Sequence, residues 1–279
     1  MKAPVNEIRT KDGKQIPVTV YLPPLPGEKV LIIASTGSQL RSFYEPFALY
    51  ARARGLTVIS FDYRGLNELN KSGSRNYLAT MHQWAVQDID AVLRFAKHEF
   101  PHQEIIYLGH CVGGEIVGLS QGSQYISRLI LVNSALSCSK FWKWRDRFRV
   151  LGNRFLIRAL TSWYGYFPAR KLGAPINMPA SVMRQWSNWC AQPNGLFDSY
   201  PDSNYQKLQI PILAYSFSDD WHCPPKAVEE LLSRFSSASI SWHHYQPRDL
   251  GLDKVGHIGF FEQEKMERKL WAKTIEWIK

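Results

Sequence analysis

A chain of 279 residues with 45% hydrophobic content has ample apolar material for one large domain, or for one domain carrying an insertion. It contains no apolar run of about 18 residues, which argues against a transmembrane helix, and no apolar core of a signal peptide near Met1. Four cysteines scattered over this length (Cys111, Cys138, Cys190, Cys223) do not read as a disulfide framework, so a reducing, cytoplasmic setting is expected. The formal net charge of +10 is uneven: from Cys138 to Lys171 nine Lys/Arg face one acid, Asp146, so this window carries +8 and suits an anionic partner.

In chain order, residues 15–22 predict a strand closed by Pro23-Pro24, and the continuous apolar run 29–35 predicts a strand buried on both faces. Thr36-Gly37-Ser38 breaks that run. A helix is expected from about Ser42 to Arg54, stopped by Gly55, followed by a strand over 56–61 that ends in Asp62-Tyr63-Arg64-Gly65. Residues 80–99 have helical periodicity, with Trp84, Ile89, Val92, Leu93 and Phe95 available for one face, and Pro101 ends them. Ile105–Leu108 is the next strand, a helix-compatible segment follows Gly114, and Leu129–Val132 is strand again. Regular alternation stops near Ala135 and resumes near Ile210 with a strand at 211–217, a helix at 227–235, a strand at 240–245 and a helix at 262–278. Strands alternating with helices imply βα units and a mostly parallel sheet flanked by helices, an α/β fold. Residues 1–135 and 208–279 are expected to form the core, and 136–207 a helical cap.

The stretch Gly109-His110-Cys111-Val112-Gly113-Gly114 follows a strand and precedes a helix-compatible segment. This is the setting of a nucleophile elbow, with Cys111 in the nucleophile position and glycines two residues to either side, where a Cβ would obstruct a strained turn. A carboxylate, Asp219 or Asp220, stands after the strand at 211–217, and His257 lies between glycines after the last strand. Nucleophile, acid and histidine in that chain order match the triad order of α/β-hydrolases. His222, Cys223, His243 and His244 show no recognisable metal spacing; the His243-His244 pair points to opposite faces of a strand, and neither a metal nor a cofactor is expected, while His110 is expected to be a packing residue.

The whole chain resembles an α/β-hydrolase with a cap, in particular the bacterial predicted hydrolases related to monoglyceride lipases and serine aminopeptidases. The matching pieces are D-Y-R-G at 62–65, G-H-x-V-G-G at 109–114, G-Y-F-P-A-R-K-L-G at 165–173, R-Q-W-S-N-W-C at 184–190, S-D-D at 218–220 and G-H-I-G-F-F at 256–261. The resemblance implies the α/β-hydrolase fold and a Cys111–Asp220–His257 triad. Asp220 is favoured over Asp219 because the acid of these relatives is commonly followed four residues later by proline, here Pro224. It also implies an oxyanion hole made by the backbone N–H of Val112 and that of Gly37 or Ser38. These relatives usually carry serine where this chain has Cys111.

A cysteine nucleophile beside an imidazole can exist as a thiolate, and its S-acyl intermediate is itself a thioester. The expected activity is therefore acyl transfer, as thioesterase or acyltransferase, on a small-molecule acyl substrate delivered as a coenzyme A or acyl carrier protein thioester. The alternative is hydrolysis of a carboxylic ester or lactone, as in dienelactone hydrolases, and the third reading is a non-catalytic ligand-binding protein of the same fold. In the cap, Phe141, Trp144, Phe148, Leu151 and Phe155 recur at helical spacing and are expected to pack on the core, with Trp144, Trp163 and Tyr166 as candidate substrate contacts. The basic residues among them are compatible with peripheral membrane contact. No nucleic-acid-binding motif accompanies them, and no nucleic-acid partner is expected.

Overall fold

The computed structural model of the protein describes residues 5–25, 27–70 and 77–279; in the helix Trp144–Tyr164 it describes the backbone throughout but not the side chains at 146, 148–151 and 153. Ten strands are present among these residues: β1 Val5–Arg9, β2 Gln15–Tyr21, β3 Lys29–Ala34, β4 Thr57–Phe61, β5 Glu104–His110, β6 Ile126–Val132, β7 Tyr166–Phe167, β8 Met178–Pro179, β9 Pro211–Phe217 and β10 Ser239–Tyr245. Eight of them form one sheet in the order β1-β2-β4-β3-β5-β6-β9-β10. β1 and β2, and β2 and β4, pair antiparallel, and every other neighbouring pair is parallel. This is the α/β-hydrolase fold.

The apolar runs become central strands because both faces of the sheet are covered. Alternate residues of one strand enter two separate cores. Ile32, Ile59, Tyr107 and Leu129 pack with Trp84 and Val92 on one side, while Ile33, Val58, Leu108 and Ile130 pack with Phe47, Trp271 and Ile275 on the other. The chain leaves β3 for β4 on one flank and returns to β5 on the other, so the loops after β3 and β5 border a topological switch point. Open α/β sheets place their sites at such a crevice.

Two local outcomes differ from the sequence expectation. β1 was not foreseen; it pairs antiparallel with β2 and completes an edge of the sheet. The segment after the elbow forms only a short helix, Val112–Glu115, and then 3-10 turns at Val117–Leu119 and Gln121–Tyr125. A continued helix would pair the Gly122 N–H with the Gly118 carbonyl. Instead Asp90 Oδ1 accepts the Gly122 N–H at 2.7 Å, and Gly118 O accepts the Asn204 N–H at 2.8 Å. Both groups are satisfied elsewhere, so the helix has no reason to continue.

Between β6 and β9 lie the helix Trp144–Tyr164, the small antiparallel pair β7–β8 and the helix Ala180–Ala191. The long helix buries Ile157 and Thr161, and Arg184 Nε of the second helix donates to Thr161 Oγ1 at 2.8 Å. Of the aromatic stripe expected to pack on the core, Phe141 does so, whereas Trp144 and Phe155 do not. Phe141 precedes the helix and is half-buried, Trp144 and Phe155 are exposed, and the side chains of Phe148 and Leu151 lie outside the described residues. The buried side of the helix is the one that meets the helix Ala180–Ala191, and Trp144 and Phe155 are on the other side.

Candidate active site

Cys111 sits between β5 and the helix Val112–Glu115 with φ 54° and ψ −117°, a conformation that costs a non-glycine residue about 1–3 kcal/mol. Its neighbours leave no alternative. A Cβ at Gly109 would come within 2.4 Å of Gly114 Cα, one at Gly113 within 2.6 Å of the Ala34 carbonyl, and one at Gly114 within 2.2 Å of Ser134 Oγ. The glycines thus let the helix press against the ends of β3 and β6, and the turn thrusts the half-buried Cys111 side chain into the crevice.

The imidazole of His257 joins this turn to the end of β9. Its Nδ1 is 2.7 Å from Asp220 Oδ2, and the ring also hydrogen-bonds the Cys111 side chain, leaving Nε2 as the nitrogen that faces the sulfur. Asp220, not Asp219, is therefore the carboxylate in contact with the ring. Asp220 also accepts the backbone N–H of His222 at 3.0 Å on Oδ1, and the His222 ring lies 4.8 Å from that of His257. Burial would raise the Asp220 pKa, but hydrogen bonds from His222 and His257 outweigh it and hold the carboxyl well below its usual range. Burial would likewise lower the His257 pKa. The charge and hydrogen bond of Cys111 together with Asp220 override it and raise the ring to about 10.

Asp219 has a different task. Its Oδ2 accepts the backbone N–H groups of Val255 and Gly256, each at 2.9 Å, and so braces the loop that carries His257. The carbonyl of His257 is held from the opposite side by Asn133 Nδ2 at 2.8 Å and by His110 Nε2 at 2.9 Å. The tautomer of His110 follows from its partners. Tyr44 Oη accepts the Thr36 N–H at 2.9 Å, so its own proton points to His110 Nδ1 at 2.7 Å, and the His110 proton resides on Nε2. Burial and the neighbouring His257 push the His110 pKa down to about 3, so the ring is neutral. His110 is thus buried, as a packing residue would be, yet both of its nitrogens are engaged. Sequence reasoning missed Tyr44 and Asn133; the only local signal at Asn133 is its φ of 46°, which the sequence does not reveal.

The remaining candidates are spread out. Val112 is the first residue of the elbow helix, where an N–H has no helical carbonyl to meet. Thr36 N–H is committed to Tyr44, and Gly37 and Ser38 follow it at the switch point, under β8 and Trp84: a Cβ at Gly37 would lie 3.0 Å from Met178 Cε and 3.2 Å from a Trp84 ring carbon. Trp144 and Trp163 are not gathered with these groups but turn mostly to solvent, and Tyr166 is half-buried in the β7–β8 pair. Asp62, in the D-Y-R-G turn, binds Arg41 and Asn67, and Arg64 in the same turn binds Asp88 at 2.6 Å, so both are structural. Asp220, Cys223 and His257 offer three ligand atoms within 4.8 Å of one another. However, the first and third are bonded to each other, and Cys223 Sγ donates to the Asn133 carbonyl at 2.8 Å. The set is therefore already committed within the protein.

A mostly parallel eight-stranded sheet with a strained elbow at its switch point and an Asp–His pair on later loops defines a hydrolase-type enzyme of the α/β-hydrolase superfamily. The chain belongs to the serine aminopeptidase (S33) family, whose profile matches residues 27–181. No curated protein matches it in sequence. Solved structures of similar fold include an esterase from Exiguobacterium antarcticum (15% identity, TM-score 0.62, covering 98% of this chain and 99% of that one). A thermostable carboxyl esterase from Bacillus coagulans (13%, 0.65, 98% and 97%) and an esterase from Pyrococcus furiosus (13%, 0.65, 100% and 90%) are also similar.

Proposed function

We propose that the protein is a carboxylic-ester hydrolase that works through Cys111. The observation that carries this reading is the bridging position of His257, bonded to Asp220 on one ring nitrogen and to the elbow cysteine on the other. Cys111 Sγ attacks the acyl carbon, and the carbonyl oxygen becomes an oxyanion received by the N–H of Val112 and that of Gly37 or Ser38. The C–O bond breaks as His257 Nε2 gives its proton to the departing alkoxide, leaving an S-acyl enzyme. His257, now neutral, takes a proton from water, hydroxide adds to the acyl carbon, and the acid leaves as Cys111 regains its electron pair. Asp220 keeps Nδ1 protonated and the ring oriented throughout. The esterases among proteins of this fold support ester over amide chemistry. No cofactor is needed for any step.

A second reading is acyl transfer or thioester hydrolysis, with a coenzyme A or acyl carrier protein thioester as donor. It is favoured by the sulfur nucleophile itself: an S-acyl Cys111 is a thioester, and thiolates exchange readily with thioesters. Intact-mass spectrometry after mixing with p-nitrophenyl acyl esters is expected to show one acyl group on Cys111, with release to water as the main fate. Absence of any adduct from esters or acyl thioesters refutes the covalent mechanism. Product formation only when an alcohol or amine acceptor is added moves the assignment to transferase.

A further inference from the structure

The outer face of the helix Trp144–Tyr164 is built for contact with something the catalytic reading does not use. Trp144 is 67% exposed, Phe155 82% and Trp163 85%, and Leu156 is also exposed. At 100° per residue these four side chains fall within about 120° of one another around the helix axis, opposite the buried Ile157 and Thr161. Arg145 lies in the same sector, Arg147 and Arg158 flank it, and all three are exposed. Trp144 and Trp163 are separated along the axis by about 28 Å.

Large exposed rings are costly to leave in water, and here they are interspersed with guanidinium groups on one convex helical face. We propose that this face docks on an anionic lipid surface, the rings entering the headgroup region and Arg145, Arg147 and Arg158 pairing with lipid phosphates. Charge complementarity selects this occupant, because the window from Cys138 to Lys171 carries nine cations and one acid. The spread of rings along a convex helix selects it as well. A bilayer interface accepts indole and phenyl groups without a shaped pocket, whereas a folded partner would need a groove matching some 28 Å of helix. The proposal is independent of the catalytic assignment.

The test uses the full chain and sedimenting vesicles of phosphatidylcholine alone or with about 30 mol% phosphatidylglycerol. The protein is expected to bind the anionic vesicles, to bind neutral ones at least about tenfold more weakly, and to be released by salt. Replacing the rings together (Trp144→Ala, Phe155→Ala, Trp163→Ala) should lower the partition at least about tenfold, and so should the set Arg145→Gln, Arg147→Gln, Arg158→Gln. Because these side chains are exposed, both variants should keep the wild-type melting temperature, which separates lost docking from lost folding. Cys111→Ala should bind vesicles like wild type, so a failed catalytic assignment leaves the result intact. No binding to either vesicle overturns the proposal. Binding that ignores the ring replacements overturns it too. So does a dimer in sedimentation that the ring variant dissolves, or binding to a purified acidic acyl carrier protein in place of vesicles.

Discussion

His110 Nε2 donates a 2.9 Å hydrogen bond to the carbonyl oxygen of His257, so the residue preceding the elbow cysteine holds the loop that presents the active-site imidazole. Behind it, Tyr44 joins the same ring to the Thr36 N–H on the loop that carries Gly37 and Ser38. Two loops from distant parts of the chain are thereby set against one buried, neutral imidazole that directly precedes the elbow cysteine.

Replacing His110 by Gln should weaken this brace, and kcat toward an ester substrate is expected to fall roughly 10- to 100-fold, corresponding to about 1–3 kcal/mol of lost positioning. The pH dependence identifies the cause. A histidine held neutral with its pKa lowered to about 3 contributes stability that is full above its unfolded value near 6.5 and is lost as pH falls toward 3. The gap in denaturation midpoint between wild type and His110→Gln should therefore be large at pH 7 and shrink by pH 5. A gap that stays constant over that range contradicts the neutral-imidazole account.

His257 behaves in the opposite sense. Its pKa is raised to about 10, so its pair with Cys111 and Asp220 stabilises the fold below the unfolded value near 6.5, and that contribution is lost as pH rises toward 10. Cys111→Ala removes the strongest of the interactions that raise it. The ring's pKa, followed by NMR of labelled histidine, should drop by more than about one unit, and the alkaline loss of stability should become smaller. An unchanged titration would mean that Asp220 alone sets the proton affinity.

Asp219 is a positioning residue, and it is expected to affect turnover more than binding. Asp219→Ala leaves the N–H groups of Val255 and Gly256 without their shared acceptor. A kcat lower by roughly 5- to 30-fold, about 1–2 kcal/mol, with KM little changed, is expected, and Asp219→Asn, which retains an acceptor oxygen, should recover part of it. Equal losses in both variants would point to charge instead of loop bracing.

Two glycines make a paired test of packing. Gly113→Ala forces a Cβ to within 2.6 Å of the Ala34 carbonyl, backbone that cannot step aside. It should cost at least about 1–3 kcal/mol and lower the melting temperature. Gly152, in the interior of the cap helix, has nothing within 4 Å of its would-be Cβ, and Gly152→Ala should stabilise by up to about 1 kcal/mol. Thermal melts of the two variants should move in opposite directions.

By itself the sequence determined what short-range chemistry dictates. The continuous apolar run at 30–34 reads as a strand covered on both faces, and the glycines around Cys111 announce a turn with no room for a Cβ. The order of Cys111, the aspartate pair and His257 was legible because the first two follow recognisable strands and His257 lies between glycines in the loop beyond the last one. Tertiary structure alone decided everything that depends on groups far apart in the chain. It set Asp220 on the imidazole, the choice that the Pro224 spacing of the resembling relatives already favours, and it alone gave Asp219 the bracing of the His257 loop. It cut short the elbow helix, because Asp90 and Asn204 take the hydrogen-bonding groups that the helix would have used. It also turned Trp144 and Phe155 outward. Periodicity reveals that a helix has an apolar side, but whether that side is buried depends on which neighbour packs against it, and here the helix Ala180–Ala191 occupies the other side.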